Sequence, residues 1–100
     1  MGERWHIRLS NKAEKQYEKL KKNGRTKPSI TDLVDFLIIE MEISGPERIA
    51  WPHYGKLSKD TYHCHLKRGK PTFVACWRVV STNRKEIEVF YVGTHEAAPY

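Results

Sequence analysis

Residues 62–67, Tyr62-His63-Cys64-His65-Leu66-Lys67, hold the densest chemistry in the sequence. Apolar and polar side chains alternate there, and a period of two marks a strand with one buried and one open face. Tyr62, Cys64 and Leu66 share one side, while His63, His65 and Lys67 share the other, with roughly 6–7 Å between neighbours in each row. A solvated strand face ordinarily carries Thr, Lys or Glu, so two imidazoles and an ammonium in a row point to the floor of a working site. Histidine gives or takes a proton near neutrality, and it also ligates metals. His95, just past another alternating stretch, is a third imidazole that can join this pair.

Placing those side chains requires a scaffold. Trp5 to Ser10 alternates and predicts a short first strand. Ser10 and Asn11 offer N-caps, with Glu14 at capping-box spacing from Asn11 and Asn23-Gly24 as the stop of a first helix. Its lysines, Lys12, Lys15, Lys19 and Lys22, read as a solvated face. Pro28-Ser29 opens a second helix in which Ile30, Leu33, Val34, Leu37, Ile38 and Met41 recur at helical spacing, and Ser44-Gly45-Pro46 ends it. Phe36, Ile39 and Ile43 widen that stripe, so this helix is expected to be the more buried of the two. Residues 46–61 read as irregular; Trp51 and Tyr54 there either stack on bases or cover the core edge.

Three strands follow: Tyr62–Lys67, a central one over Thr72–Val80 that is apolar on both faces, and Glu86–Val92. The turns Arg68-Gly69-Lys70-Pro71 and 81–85 join them. The expectation is a single α+β domain over residues 1–100: a mostly antiparallel four-stranded sheet with two N-terminal helices on one face, in the order β-α-α-β-β-β. Cys64 and Trp77 fall in the core, and His6, His53 and Glu96 read as structural or incidental.

Charge narrows the class of partner. The net charge is +6, and seventeen of eighteen Lys/Arg lie outside residues 28–50, which instead hold five acids. A surface built from the basic segments attracts polyanions, nucleic acid first, although an acidic protein also fits. No run nears the roughly 20 apolar residues of a membrane span. The start carries no apolar signal core, so a cytoplasmic protein with free thiols is expected.

The element order, together with Lys56-Leu57 ahead of residues 62–67 and Tyr91-Val92-Gly93-Thr94-His95-Glu96 running to Tyr100, resembles the RelE/ParE toxin superfamily, in particular the RelE and HigB-like messenger-RNA interferases. The resemblance implies the toxin of a type II toxin–antitoxin pair, acting without a cofactor on message in the ribosomal A site and covered by a cognate antitoxin. It places site residues at His63, His65, His95 and Tyr100. One position departs: Val74 stands where many RelE-type members carry a phosphate-binding arginine, and Arg68, Lys70 or Arg78 would have to supply that charge.

Metal-free RNA cleavage uses the neighbouring 2′-hydroxyl as nucleophile and needs a base, an acid and cations for the phosphorane. His63 or His65 is the expected base, with the other imidazolium helping to hold the phosphate; His95 is the expected acid. Lys67, Arg68 and Lys70 would give electrostatic support, Lys56 and Arg78 further RNA contacts, and Tyr100 a stacking ring or a hydrogen bond. Two other readings stay open. His63, His65 and His95 could form an open zinc site, although neither cysteine has C-x-x-C spacing. The chain could also be a non-catalytic member of the superfamily that binds RNA, gyrase or an acidic protein.

Overall fold

The computed structural model describes residues 3–23 and 29–100. Its elements are β1 (His6–Leu9), α1 (Asn11–Asn23), α2 (Ile30–Ser44), β2 (Gly55–Lys56), β3 (Thr61–Lys67), β4 (Phe73–Ser81) and β5 (Glu86–Thr94). The strands make one five-stranded sheet in the order β1-β5-β4-β3-β2. β1 runs parallel to β5, and every other neighbouring pair is antiparallel. The α+β class is as expected, with one strand more than the four anticipated. The extra strand, β2, is two residues long, too short to carry a period. Gly24 and Pro28, expected at the facing ends of the two helices, lie outside the described residues.

Both helices begin at side-chain caps. Ser10 Oγ accepts from the Ala13 N–H at 3.1 Å, so the cap of α1 is Ser10. At α2 the Ser29 side chain accepts from the Asp32 N–H, and Asp32 accepts from the Ser29 N–H, a complete capping box. Each reciprocal bond satisfies an amide that the first helical turn leaves open.

Both helices cover the same sheet face. Ala13 of α1 and Val34, Leu37 and Met41 of α2 pack with Tyr62, Cys64, Leu66, Ala75, Trp77, Ile87 and Val89. Trp77 is the centre: fully buried, it packs in a triangle of rings with Tyr62 and Tyr54 (centroids 6.0 and 6.3 Å from its own, 6.2 Å from each other) and donates its Nε1–H to the Pro46 carbonyl at 3.0 Å. Tyr54 thus covers the core edge. Trp51 is likewise tied down, donating to Glu40 at 2.8 Å beside the Phe36 ring.

One expectation about α2 fails. Phe36, Ile39 and Ile43 do not enlarge the core; they are 59%, 55% and 61% exposed. The sheet face is shared with α1, so α2 meets it along a single stripe and its remaining apolar residues point outward. Trp77→Ala should therefore destabilise the fold by about 3–5 kcal/mol, whereas Ile39→Ser should change stability by no more than about 0.5 kcal/mol, both read from urea denaturation midpoints.

Candidate active site: a histidine cluster on the open sheet face

The face of the sheet away from the helices has its own small apolar floor. Val74, Cys76 and Tyr91 are buried there, with Leu57, Phe90 and Ala98 packed against them. Register places the imidazoles on this floor: His63 pairs across the strands with Cys76, and His65 with Val74. On the other flank His63 pairs with Gly55. A β-carbon at Gly55 would lie 3.1 Å from His63 Nε2, so a glycine is what lets the ring settle there. Cys64 points the opposite way, into the helix-side core. Both thiols are free, and burial pushes each up to about 12, which leaves them unreactive.

Two loops close over this floor. The Pro52 carbonyl accepts from the His65 N–H at 2.8 Å, and His53, in the left-handed region (φ 52), stacks its ring on His65 with centroids 4.2 Å apart. On the other side Thr72 accepts from the His95 N–H, and the Tyr91 hydroxyl donates to the Thr94 carbonyl at 2.6 Å. His95 meets His65 edge-on at 5.4 Å and Tyr100 edge-on at 5.8 Å, while Tyr100 tilts over His63 at 4.7 Å. Five rings thus form one chain: His53, His65, His95, Tyr100, His63. Beside it lies a groove of about 530 Å³ lined by His65, His95, Lys70, Glu96 and the 69–72 backbone segment.

The four site residues expected from sequence are therefore brought together, and His53 joins them unanticipated. Its signal was weak: Pro52 before it and Gly55 after it mark a turn, but only the pairing of β2 with β3 shows which strand that turn overlies. The cations divide. Lys70 lines the groove, and Arg68 donates to His53 Nε2 at 3.1 Å. A guanidinium has no lone pair to offer, so that ring nitrogen is the acceptor.

Lys67, Lys56 and Arg78 do not reach the imidazoles. A bulge between His65 and Lys67 pairs Lys67 with Phe73 and turns it toward Leu20, Ser29 and Ile30, out of the histidine row. Lys56 pairs with Tyr62 and holds its ammonium over that ring. Arg78 is bound to buried Glu88 (Nε–Oε1 3.0 Å), which Arg8 also approaches at 3.4 Å.

Burial sets the electrostatics. His63 and His65 are half-buried rather than open to solvent. Desolvation first, then the neighbouring imidazoles, hold both below the ordinary histidine range; for His65 the Arg68 guanidinium adds to this. Their Nδ1 atoms are buried without a hydrogen-bond partner. A charged ring would leave a buried N–H there with no acceptor, which costs more than an unused lone pair. Both effects favour the uncharged ring, the opposite of the imidazolium expected for one member of this pair. Burial also raises the Tyr100 phenol, keeping it a donor.

The zinc reading lacks a donor set. Among the described residues no three His, Cys, Asp or Glu side chains are placed to hold a metal. No helix among the described residues is long and apolar enough to cross a membrane.

No protein-family model matches the sequence, and no curated protein matches it significantly. Solved structures do match. A metal-bound toxin from Helicobacter pylori superposes with a TM-score of 0.69 at 20% identity, over 92% of this chain and 96% of that one. The YoeB dimer from Staphylococcus aureus gives 0.69 at 15% identity, over 92% and 98%. The free state of a doubly substituted Escherichia coli toxin RelE gives 0.64 at 15% identity, over 95% and 87%.

The lowered imidazoles fix a pH window for stability. The unfolded chain, with ordinary histidines near 6.5, takes up protons first as pH falls, so their contribution is full above about 6.5 and is lost as pH drops through the lower folded values. The melting temperature should fall between about pH 7.5 and about pH 5, and fall less in the His63→Gln/His65→Gln double variant. An equal fall in both proteins would place the source elsewhere.

Proposed function

We propose that this chain, which has the fold of the RelE-like toxins, is the toxin of a toxin–antitoxin pair and cuts messenger RNA in the ribosomal A site without a metal. One observation carries the reading: imidazoles from three separate segments and a phenol converge over one open sheet face beside a cation-bearing groove. Residues distant in the chain and gathered this way match the needs of acid–base chemistry on a polyanion.

His65 and His95 line the groove together and make the natural acid–base pair. Neutral His65 takes the proton of the 2′-hydroxyl, and O2′ attacks phosphorus. The P–O5′ bond breaks, and His95 protonates the departing O5′. The products are a 2′,3′-cyclic phosphate and a 5′-hydroxyl. Arg68 and Lys70 are the cations best placed to stabilise the phosphorane, standing in for the arginine whose position Val74 occupies in the floor. His63, under Tyr100, supports the far side, and Tyr100 offers a ring or an O–H to a neighbouring base. The antitoxin of such a pair would cover this face in the cytoplasm.

Val74 also favours a second reading, because it leaves the middle of the sheet face without a cation. A degenerate member would bind RNA, gyrase or an acidic protein there without cutting.

Expression of the wild type beside His63→Ala, His65→Ala and His95→Ala, with growth and new 5′ ends in cellular message scored together, separates the two. His65→Ala and His95→Ala should each reduce codon-phased cleavage by about 10²-fold or more at unchanged melting temperature, with a smaller loss for His63→Ala. Growth arrest over intact message would favour the binder. The base limb of the cleavage rate should fall only below about pH 6.5, because a base of lowered pKa stays neutral until then.

A further inference from the structure

We infer that the outward face of α2 is a docking surface for a basic amphipathic helix of another protein. The face is unusual for a chain this small. Phe36, Ile39 and Ile43 stand at i, i+3 and i+7, which aligns them in one stripe along about two turns, and all are more than half exposed. Ile49, just beyond the helix, is exposed to 79%. Beside the stripe, Leu33, Phe36, Glu40, Ala50, Trp51 and Pro52 line a groove of about 280 Å³, enough for one large apolar side chain. A stripe with a pocket next to it is the geometry by which helices are read in grooves, and contiguous exposed apolar surface marks interaction sites.

Charge identifies the occupant. At 100° per residue, Asp35 and Glu42 flank the stripe on one side and Glu40 on the other. Asp35 also accepts from the Tyr17 hydroxyl at 2.6 Å, and Glu40 from Arg48 at 3.2 Å. Arg48 is the one Lys or Arg in residues 28–50 and is already engaged. Acid flanks repel nucleic acid, so RNA does not belong on this face. A second copy meeting α2 to α2 would oppose acid to acid, and the lysine face of α1 brings no apolar stripe. A helix with Leu or Ile at matching spacing and Lys or Arg on its flanks satisfies both the apolar and the electrostatic demand. This surface is built from α2 and the 50–52 segment and uses none of the imidazoles, so the inference does not rest on the nuclease reading.

The probes are two synthetic peptides of about 18 residues, long enough to hold a helix, with the same leucine stripe flanked by lysines in one and glutamates in the other. Fluorescence anisotropy measures each against the full chain and against a Phe36→Ser/Ile43→Ser variant whose fold is checked by circular dichroism. The lysine peptide should bind the wild type at least about tenfold tighter than it binds the variant, and tighter than the glutamate peptide binds the wild type; the preference for lysine over glutamate should shrink as salt rises. The inference is overturned if the lysine peptide binds both proteins equally or neither, or if the variant loses only the glutamate peptide. Sedimentation showing self-association that the double substitution abolishes would assign the face to a second copy and also overturn it.

Discussion

The structure depends on burying β4 from both sides. Val74, Ala75, Cys76 and Trp77 are all fully inaccessible, yet only Ala75 and Trp77 meet the helices. The other two need cover of their own, which Tyr91, Leu57, Phe90 and Ala98 supply on the opposite face. That second cover is what makes a site possible. An antiparallel sheet with one solvated face would leave His63 and His65 in water at ordinary pKa values. Here a dry floor lies beneath them, and the loops around His53 and His95 close from either side. Desolvation, stacking and the unpartnered Nδ1 atoms all follow from it.

Charge is segregated on the same plan. The cations that stay near the imidazoles come from the turn between β3 and β4, and Arg68 is held in place by the ring of His53. Arg78 lies on the same face but is committed to Glu88 together with Arg8, so one buried carboxylate serves two guanidiniums. The acids of α2 occupy the far side of the molecule and leave the histidine face cationic.

Most of the scaffold was legible because its signals are local. The caps at Ser10 and Ser29, the helical stripe of α2 and the doubly apolar run of β4 each state their environment within a few residues. His63 and His65 could be read as neighbours on one face because the strand period is two. The failures are equally physical. β2 is shorter than any period. Phe36, Ile39 and Ile43 look like core because composition cannot reveal that α1 already covers part of the sheet. Lys67 leaves the histidine row through a bulge of one residue, which no alternation pattern announces. His53 joins the cluster through pairing between a loop and a strand, a contact that spacing in the sequence does not encode.

The parallel pairing of β1 with β5 sets the order in which the chain can acquire its shape. Ile7 lies opposite Ile87, and β5 separates β1 from the rest of the sheet. While the chain is still emerging from the ribosome, β1 therefore has no neighbour to join, and α1 lacks the strand against which Gln16 anchors it by accepting from the Val92 amide. Closing so long a loop makes assembly late and cooperative. His95 and Tyr100 arrive later still. A nascent chain thus carries two imidazoles on an unfinished hairpin, and the complete ring cluster forms only once synthesis has passed the last strand.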